Sequence, residues 1–228
     1  MHMKIARAAA LLGEPTRAAL LAALLDGRAQ PATALAYAAA ASPQAASNHL
    51  AQLVQGGLLA VEREGRHRYY RIASPQVAEV LENLAGLAAL RTRQREPPTR
   101  ADAQLRHARS CYDHLAGRLG VALADALLLR GYLLAPADDA KVYVLTDAGR
   151  RWFADFGIVP ETLSRRPLAR RCLDWSERRH HLAGALGARL FDQLCERCWL
   201  VRAREGRAMR LTPTGARGLR ENLGLSLD

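Results

Sequence analysis

The sequence predicts a mainly α chain with small β-hairpins, divided into two domains, the second built from two tandem helix-hairpin-helix repeats. Three observations predict this. Apolar residues recur at helical spacing through the first ninety positions, interrupted once by a β-prone arm, turn and arm. A basic stretch with two prolines, RTRQREPPTR, follows at 91 to 100. Beyond it the chain matches itself at an offset of 67 residues. A length of 228 residues also exceeds the roughly 100 to 200 of one ordinary domain, so two cores are expected.

Residues 3 to 12 predict a first helix. At LGEPT the chain breaks, and Pro15 suits the first turn of a second helix, whose Leu20, Leu21, Leu24 and Leu25 share a face until Asp26 and Gly27 end it. After Pro31, ATALAYAAAA predicts a short Ala-rich helix. SPQAASNHLAQLVQGGLL then restarts the pattern: Ser42 is a ready N-cap and Pro43 takes the first helical position. Ala46, Leu50, Leu53 and Val54 recur at the spacing of a buried face, and Gly56 and Gly57 stop the helix. LLAVEREGRHRYYRI predicts a hairpin turning at Glu64 and Gly65, with Arg63, Arg66, Arg68 and Arg71 along it. A helix from about Pro75 to Leu90 closes the unit.

The outer face of the Ser42 helix carries Gln44, Ser47, Asn48 and Gln52, with His49 beside it. Short hydroxyl and amide side chains both donate and accept, which reading base edges in a major groove requires. An arginine-bearing hairpin can lie along phosphates or enter a minor groove. In this order, LGEPTRAALLAALLDG, SPQAASNHLAQLVQGGLL and REGRHRYYRI resemble the ArsR family of bacterial winged helix-turn-helix repressors, over residues 3 to 90. The resemblance implies a homodimer joined through the first and last helices of the domain, bound to an operator in double-stranded DNA, with Ser42, Gln44, Ser47, Asn48 and His49 meeting DNA and the hairpin serving as wing. Gln52, Arg63, Arg66 and Arg68 complete the expected DNA-contact set. The family's metal sensors place cysteines in or near the helix before the recognition helix, or Asp and His on the last helix. Here ATALAYAAAA has no Cys and PQVAEVLENLAGLAAL offers only Glu79 and Glu82, so neither set can be assembled.

The expected organisation is a winged-helix DNA-binding and dimerisation domain at 1 to 90, a linker at 91 to 100, and a sensor domain at 101 to 228. Within that last domain, HLAGRLGVALADALLLRGYL from His114 matches HLAGALGARLFDQLCERCWL from His181, and VYVLTDAGRRWF matches AMRLTPTGARGL after a shift of one. Each copy, about 111 to 160 and 178 to 226, reads as half a winged helix: a helix, a short hairpin, and an LTxxG start to another helix. Leu115 pairs with Leu182, Leu119 with Leu186 and Tyr132 with Trp199, as expected of stacked units sharing a core around a central cleft. Gly117, Gly120, Gly184 and Gly187 are expected to permit close helix contact.

The stretch CYDH places Cys111, Asp113 and His114 together. His114 recurs as His181 and reads as part of a shared helix start, whereas the 67-residue offset sets Cys111 against Arg178. Two ligands fall short of a metal site, and a third would have to come from CLDW, with Cys172 and Asp174. The residues alone leave two readings open for Cys111, a small buried core cysteine or a sensor thiol; no metal ligand set and no cofactor motif is assigned. Cys195 and Cys198 form a CxxC expected to pack within a helix. Nine of the twelve aromatics lie beyond residue 101, and Trp152, Phe153, Phe156, Trp175 and Trp199 can fill a core or line an apolar pocket.

The net charge of +11 divides as +2 over residues 1 to 90, +3 over 91 to 100 and +6 over 101 to 228, a balance that favours a polyanionic partner. Four cysteines and no export signal argue against a disulfide framework, and no apolar run reaches the ~18 residues of a membrane span, so a cytoplasmic protein is expected. The leading function is a homodimeric transcription repressor whose second domain senses a small organic ligand. The alternative is a thiol-based redox or soft-metal sensor using Cys111 and Cys172, and the candidate sensor residues are Cys111, His114, Cys172 and Trp175. No nucleophile motif, phosphate loop or paired carboxylates support an enzyme, in which Cys111 would be nucleophile and His114 or His181 base. A protein-interaction module that has lost DNA fits poorly with amides and arginines kept on one face.

Overall fold

A computed structural model describes residues 2–65, 67–92, 99–136, 140–163, 166–203 and 206–226. The chain divides into two compact units, Met1–Ala85 and Gly86–Asp228. Strands are short and antiparallel, and most of the described structure is helical.

The first unit runs α1 (His2–Leu12), α2 (Pro15–Ala23), β1 (Gln30–Pro31), α3 (Ala32–Ala38), α4 (Pro43–Gln55), β2 (Leu59–Glu64), β3 (His67–Ile72) and α5 (Pro75–Thr92). Glu14 caps α2, its carboxylate accepting from the amides of Thr16 at 3.0 Å and Arg17 at 2.7 Å. Ser42 caps α4, its Oγ accepting from Ala45 N at 3.2 Å. Gly57 ends α4 in the left-handed region at φ +73°, where a side chain is disfavoured. Leu20, Leu21, Leu24, Leu35, Ala46, Leu50, Leu53 and Ile72 form the buried interior, while Val54 is only half-buried. The hairpin pairs Leu59 with Ile72 through Glu64 with His67, and β1 adds a third strand in the order β1-β3-β2. Periodicity does not announce β1, because two residues are too few to show a period. The second helix stops at Ala23, short of the expected Asp26, and the chain continues as a turn.

Two helices reach into the expected linker at 91 to 100. α5 continues to Thr92, and Thr99 starts α6 (Arg100–His107) with a capping box: Thr99 Oγ1 accepts from Asp102 N at 3.1 Å, and Asp102 accepts from Thr99 N at 3.0 Å. Pro97 and Pro98 lie outside the described residues.

The second unit continues with β4 (Arg109–Cys111), β5 (His114–Ala116), α7 (Gly117–Leu129), β6 (Leu133–Leu134), β7 (Val144–Leu145), α8 (Asp147–Asp155), a 3-10 turn at Pro160–Thr162, β8 (Arg170–Leu173), β9 (His180–Ala183), α9 (Gly184–Glu196), β10 (Leu200–Arg202), β11 (Met209–Leu211) and α10 (Pro213–Leu223). The LTxxG stretches have a physical basis. Thr146 and Thr212 cap α8 and α10, accepting from Gly149 N and Gly215 N, both at 3.0 Å. A Cβ on Gly149 would fall 2.1 Å from the Tyr132 carbonyl oxygen, and one on Gly215 2.3 Å from that of Trp199, so only glycine fits.

Leu119, Leu127, Leu133, Phe153, Leu186, Leu190, Leu194 and Leu219 fill the second core. Trp152 stacks on Tyr132 and Phe156 with ring centroids 5.3 and 5.1 Å apart, and Phe156 meets the edge of Trp199 at 5.5 Å. These aromatics pack against one another as core, and Trp175 stands apart from them. The CxxC divides: Cys195 packs against the core from the last turn of α9, but Cys198 lies beyond the helix and is exposed.

Candidate nucleic-acid interface and Cys/His centre

On α4 the residues opposite the buried Ala46, Leu50 and Leu53 are open to solvent. Ser42, Gln44, Ser47, Asn48 and Gln52 are all exposed, as are Arg63 and Arg68 on the hairpin; Arg66 lies outside the described residues. His49 is half-buried and engaged from α2, its Nδ1 3.5 Å from both Glu14 Oε2 and Arg17 Nη1. Arg17 also donates to Gln52 Oε1 at 2.9 Å, which steers that amide, while Gln44 donates to Asn48 Oδ1 at 3.4 Å. Gln44 and Asn48 therefore bond to each other and are not tied to α2 as Gln52 is.

The second centre forms where two hairpins meet. Cys111 stands opposite His114 across β4 and β5, and Cys172 stands opposite His181 across β8 and β9. His114 is thus on a strand, a cross-strand partner of Cys111 and not its neighbour on a helix start. The structural counterpart of Cys111 is Cys172 and not Arg178: two residues separate Cys111 from His114, but eight separate Cys172 from His181. Those six extra residues hide the second cysteine from the 67-residue offset.

Each hairpin passes into its helix through a glycine at φ +81°, Gly117 and Gly184. A Cβ on Gly120 would come 2.6 Å from the Leu115 carbonyl and face His181 Cβ at 3.6 Å. On Gly187 it would come 2.5 Å from the Leu182 carbonyl and face His114 Cβ at 3.5 Å. Gly120 and Gly187 therefore permit close approach of each helix to the hairpins, with a hairpin carbonyl and the opposite histidine as the near neighbours.

The result is a buried tetrad: the Sγ atoms of Cys111 and Cys172 and one ring nitrogen each of His114 and His181 all lie within 4.8 Å of one another. All four residues are at most 6% exposed. The two imidazoles meet Nε2 to Nε2 at 3.1 Å. His114 Nδ1 lies 3.1 Å from Asp113 Oδ1, and Arg166 donates to Asp113 Oδ2 at 2.6 Å. His181 Nδ1 faces Asp174 Oδ2 at 3.3 Å, in poorer alignment. Asp174 is fully buried and accepts from Arg109 Nη2 at 3.0 Å, Gly117 N at 2.7 Å and Ser176 N and Oγ at 2.9 and 2.7 Å.

The thiols are unequal. Hydrogen bonding with Cys111, against the opposing effect of burial, and then with both histidines holds the Cys172 thiol far below its ordinary range. The same pairing and then burial push Cys111 up. Burial alone would lower His114, but bonds to Asp113 and Cys172 outweigh it and raise it. The arrangement can hold a thiolate, share a proton or ligate a soft cation.

Of the expected sensor residues, Cys111, His114 and Cys172 converge. Trp175 does not join them; its ring stacks under the Arg109 guanidinium at 4.5 Å. The missing member is His181, whose match to His114 was the available signal.

Residues 12–62 match a family model described as a helix-turn-helix domain. Over the whole chain, and over the whole of the relative, the protein is 41% identical to an HTH-type transcriptional regulator of Bacillus subtilis, YdfF. The chain belongs to the HTH-type transcriptional regulators. Its first unit, with three helices ahead of a capped fourth, a wing and a closing helix, is a winged helix-turn-helix. Among solved structures it is similar to the homodimeric winged helix-turn-helix DNA-binding domain of a possible ArsR-family regulator from Mycobacterium bovis, at 30% identity over 41% of this chain and 86% of that one, with a TM-score of 0.38. It is also similar to the cadmium sensor CMTR of Mycobacterium tuberculosis, at 38% identity over 35% of this chain and 81% of that one, with a TM-score of 0.31. Among the described residues no helix is long and apolar enough to cross a membrane.

Proposed function

We propose that this HTH-type regulator binds operator DNA as a homodimeric repressor, and that its second unit sets operator affinity in response to a signal received at the Cys/His centre. One observation carries the DNA reading: α4 buries one face and opens Gln44, Ser47 and Asn48 on the other, beside a hairpin with Arg63 and Arg68 exposed. The amides suit base edges, and the arginines suit phosphates.

The dimer reading is supported by apolar side chains left in solvent on the two helices expected to form the interface. Ile5 on α1 is 61% exposed, and Val80, Leu84 and Leu87, spaced i, i+4, i+7 on α5, are 52%, 43% and 61% exposed.

For the signal, the geometry favours thiols and imidazoles over an organic ligand among aromatics, because those aromatics are packed against one another. A second reading is supported by a cavity of about 580 Å³ whose lining includes Arg100, His107, Arg118 and Arg210, suited to an organic anion. Fluorescence anisotropy on DNA from upstream of the protein's own gene, at one stated salt concentration, tests the function. Tight binding, weakened by Asn48→Ala, supports it; equal binding to unrelated DNA overturns it. Replacing Cys111 and Cys172 with Ser while retaining full response in cells would exclude the thiol centre and leave the basic cavity.

A further inference from the structure

We propose that Cys111, His114, Cys172 and His181 form a closed, four-coordinate site for one divalent ion of the zinc class, joining the two hairpins of the second unit. Metal binding at this site does not depend on the DNA reading above; only its regulatory consequence rests on that reading.

The donor set has the right composition and size. Two sulfurs and two imidazole nitrogens are the ligand set of a tetrahedral zinc-type site, and with metal bonds of about 2.0 to 2.3 Å the ligand atoms would stand roughly 3.3 to 3.8 Å apart. Here the four atoms already lie within 4.8 Å of one another, and the two nitrogens are at 3.1 Å.

The orientation of the rings carries the inference further. A carboxylate only accepts, so an imidazole facing it through Nδ1 holds its proton there and leaves a lone pair on Nε2. His114 faces Asp113 in this way and His181 faces Asp174. The His114 Nε2 lone pair therefore points at His181 Nε2, 3.1 Å away, and where His181 keeps its own proton on Nδ1 beside Asp174 the two lone pairs meet, which is repulsive unless a cation lies between them. A proton could bridge the two nitrogens alone. The two thiols converging on the same point supply what a proton does not need and a soft or borderline metal does.

The surroundings fit a held ion. Carboxylate partners on ligating histidines fix the tautomer and raise ligand basicity. Asp113 is itself held by Arg166, and Asp174 by Arg109, Gly117 N and Ser176. Tyr112, at φ +61° in the two-residue loop between Cys111 and His114, occupies a backbone region that non-glycine residues seldom enter, and the turn seats Asp113 beside its histidine. Four protein ligands leave no open coordination position, so the ion would bind and cross-link without performing catalysis. Each hairpin contributes one Cys and one His, so occupancy would lock the two halves of the unit together.

The test uses the full chain purified under reducing conditions. Metal content is measured first, and then metal-stripped protein is titrated anaerobically with Co²⁺, followed by Zn²⁺. One Co²⁺ per chain, with tetrahedral ligand-field bands and thiolate-to-cobalt charge transfer bleached by Zn²⁺, is expected. Cys172→Ser should at least halve the charge-transfer intensity, leaving at most the contribution of Cys111. Should that variant misfold by circular dichroism, Asp113→Asn, which leaves all four ligands in place, should weaken Co²⁺ by about 10- to 100-fold. An octahedral Co²⁺ spectrum, or reduced protein whose thiols stay freely titratable in the presence of Zn²⁺, overturns the site. So does a Cys111–Cys172 disulfide whose reduction restores no metal uptake. Anisotropy on the same samples separates the two readings: a metal-bound protein that never binds DNA removes the operator reading alone. Equal DNA affinity with and without the ion removes the regulatory consequence alone.

Discussion

Arg109 and Asp174 are 1% and 0% exposed at their side chains, an ion pair taken wholly out of water. Breaking such a pair from one side leaves a buried charge without its partner, so Asp174→Asn should destabilise the second unit by about 3 to 5 kcal/mol, read as a lower denaturation midpoint. The carboxylate is also held far below its ordinary range: burial opposes this, but His181 and then Arg109 outweigh it. At Gly120 a methyl group would press on the Leu115 carbonyl at 2.6 Å and lie against His181 Cβ. Gly120→Ala should cost about 1 to 3 kcal/mol, measured by denaturant titration, because the obstacle is backbone that cannot rotate away. Neither effect is legible from the residues themselves. A buried Arg and Asp look like surface charges in a basic chain, and HLAG explains itself only once a second hairpin is seen packed behind it.

At the scale of the helix and the hairpin, sequence reasoning succeeds wherever a rule spans a few residues. The Glu14 carboxylate is lowered chiefly by its bond from the Thr16 amide, so its folded value lies below that of the unfolded chain. Its contribution to α2 is therefore complete above the unfolded value, roughly pH 4.3, and is lost as pH falls through the lower folded value. NMR titration of the Thr16 and Arg17 amides should follow that loss, and Glu14→Gln should abolish the dependence. On α4, Asn48→Ala should weaken operator binding by about 10-fold or more, concentrated at one base position, if it makes a bidentate base contact. Arg68→Ala should instead weaken all sequences alike and reduce the salt slope by about one. Titrations across several salt concentrations distinguish the two behaviours.

For the molecule as a whole, two compact units imply two unfolding events, so a single transition temperature would be a poor description. Calorimetry with added Zn²⁺ should raise one transition and leave the other in place, a shift worth about 2.7 kcal/mol at a free ion concentration of 100 times Kd, and Cys172→Ser should remove the shift. The exposed apolar stripe on α5 makes its own prediction: Leu84→Glu should convert dimer to monomer in sedimentation and lose operator affinity with it, since two half-sites need two heads.

By itself the sequence determined what periodicity and capping can write: the helix order of the first unit, Ser42 and Pro43 at the start of α4, the arginine-bearing hairpin, and the paired HLAG and LTxxG stretches. These rest on contacts between residues three or four apart, or on alternation along a strand, so their pattern survives on paper. Only the tertiary structure decided that Cys111 answers to Cys172, that His181 completes the group, and that Trp175 stands outside it. Such convergence depends on strand register and on a loop of eight residues set against one of two. Loop length displaces a motif along the chain without moving it in space, and that difference is why the pairing could not be read from a fixed offset.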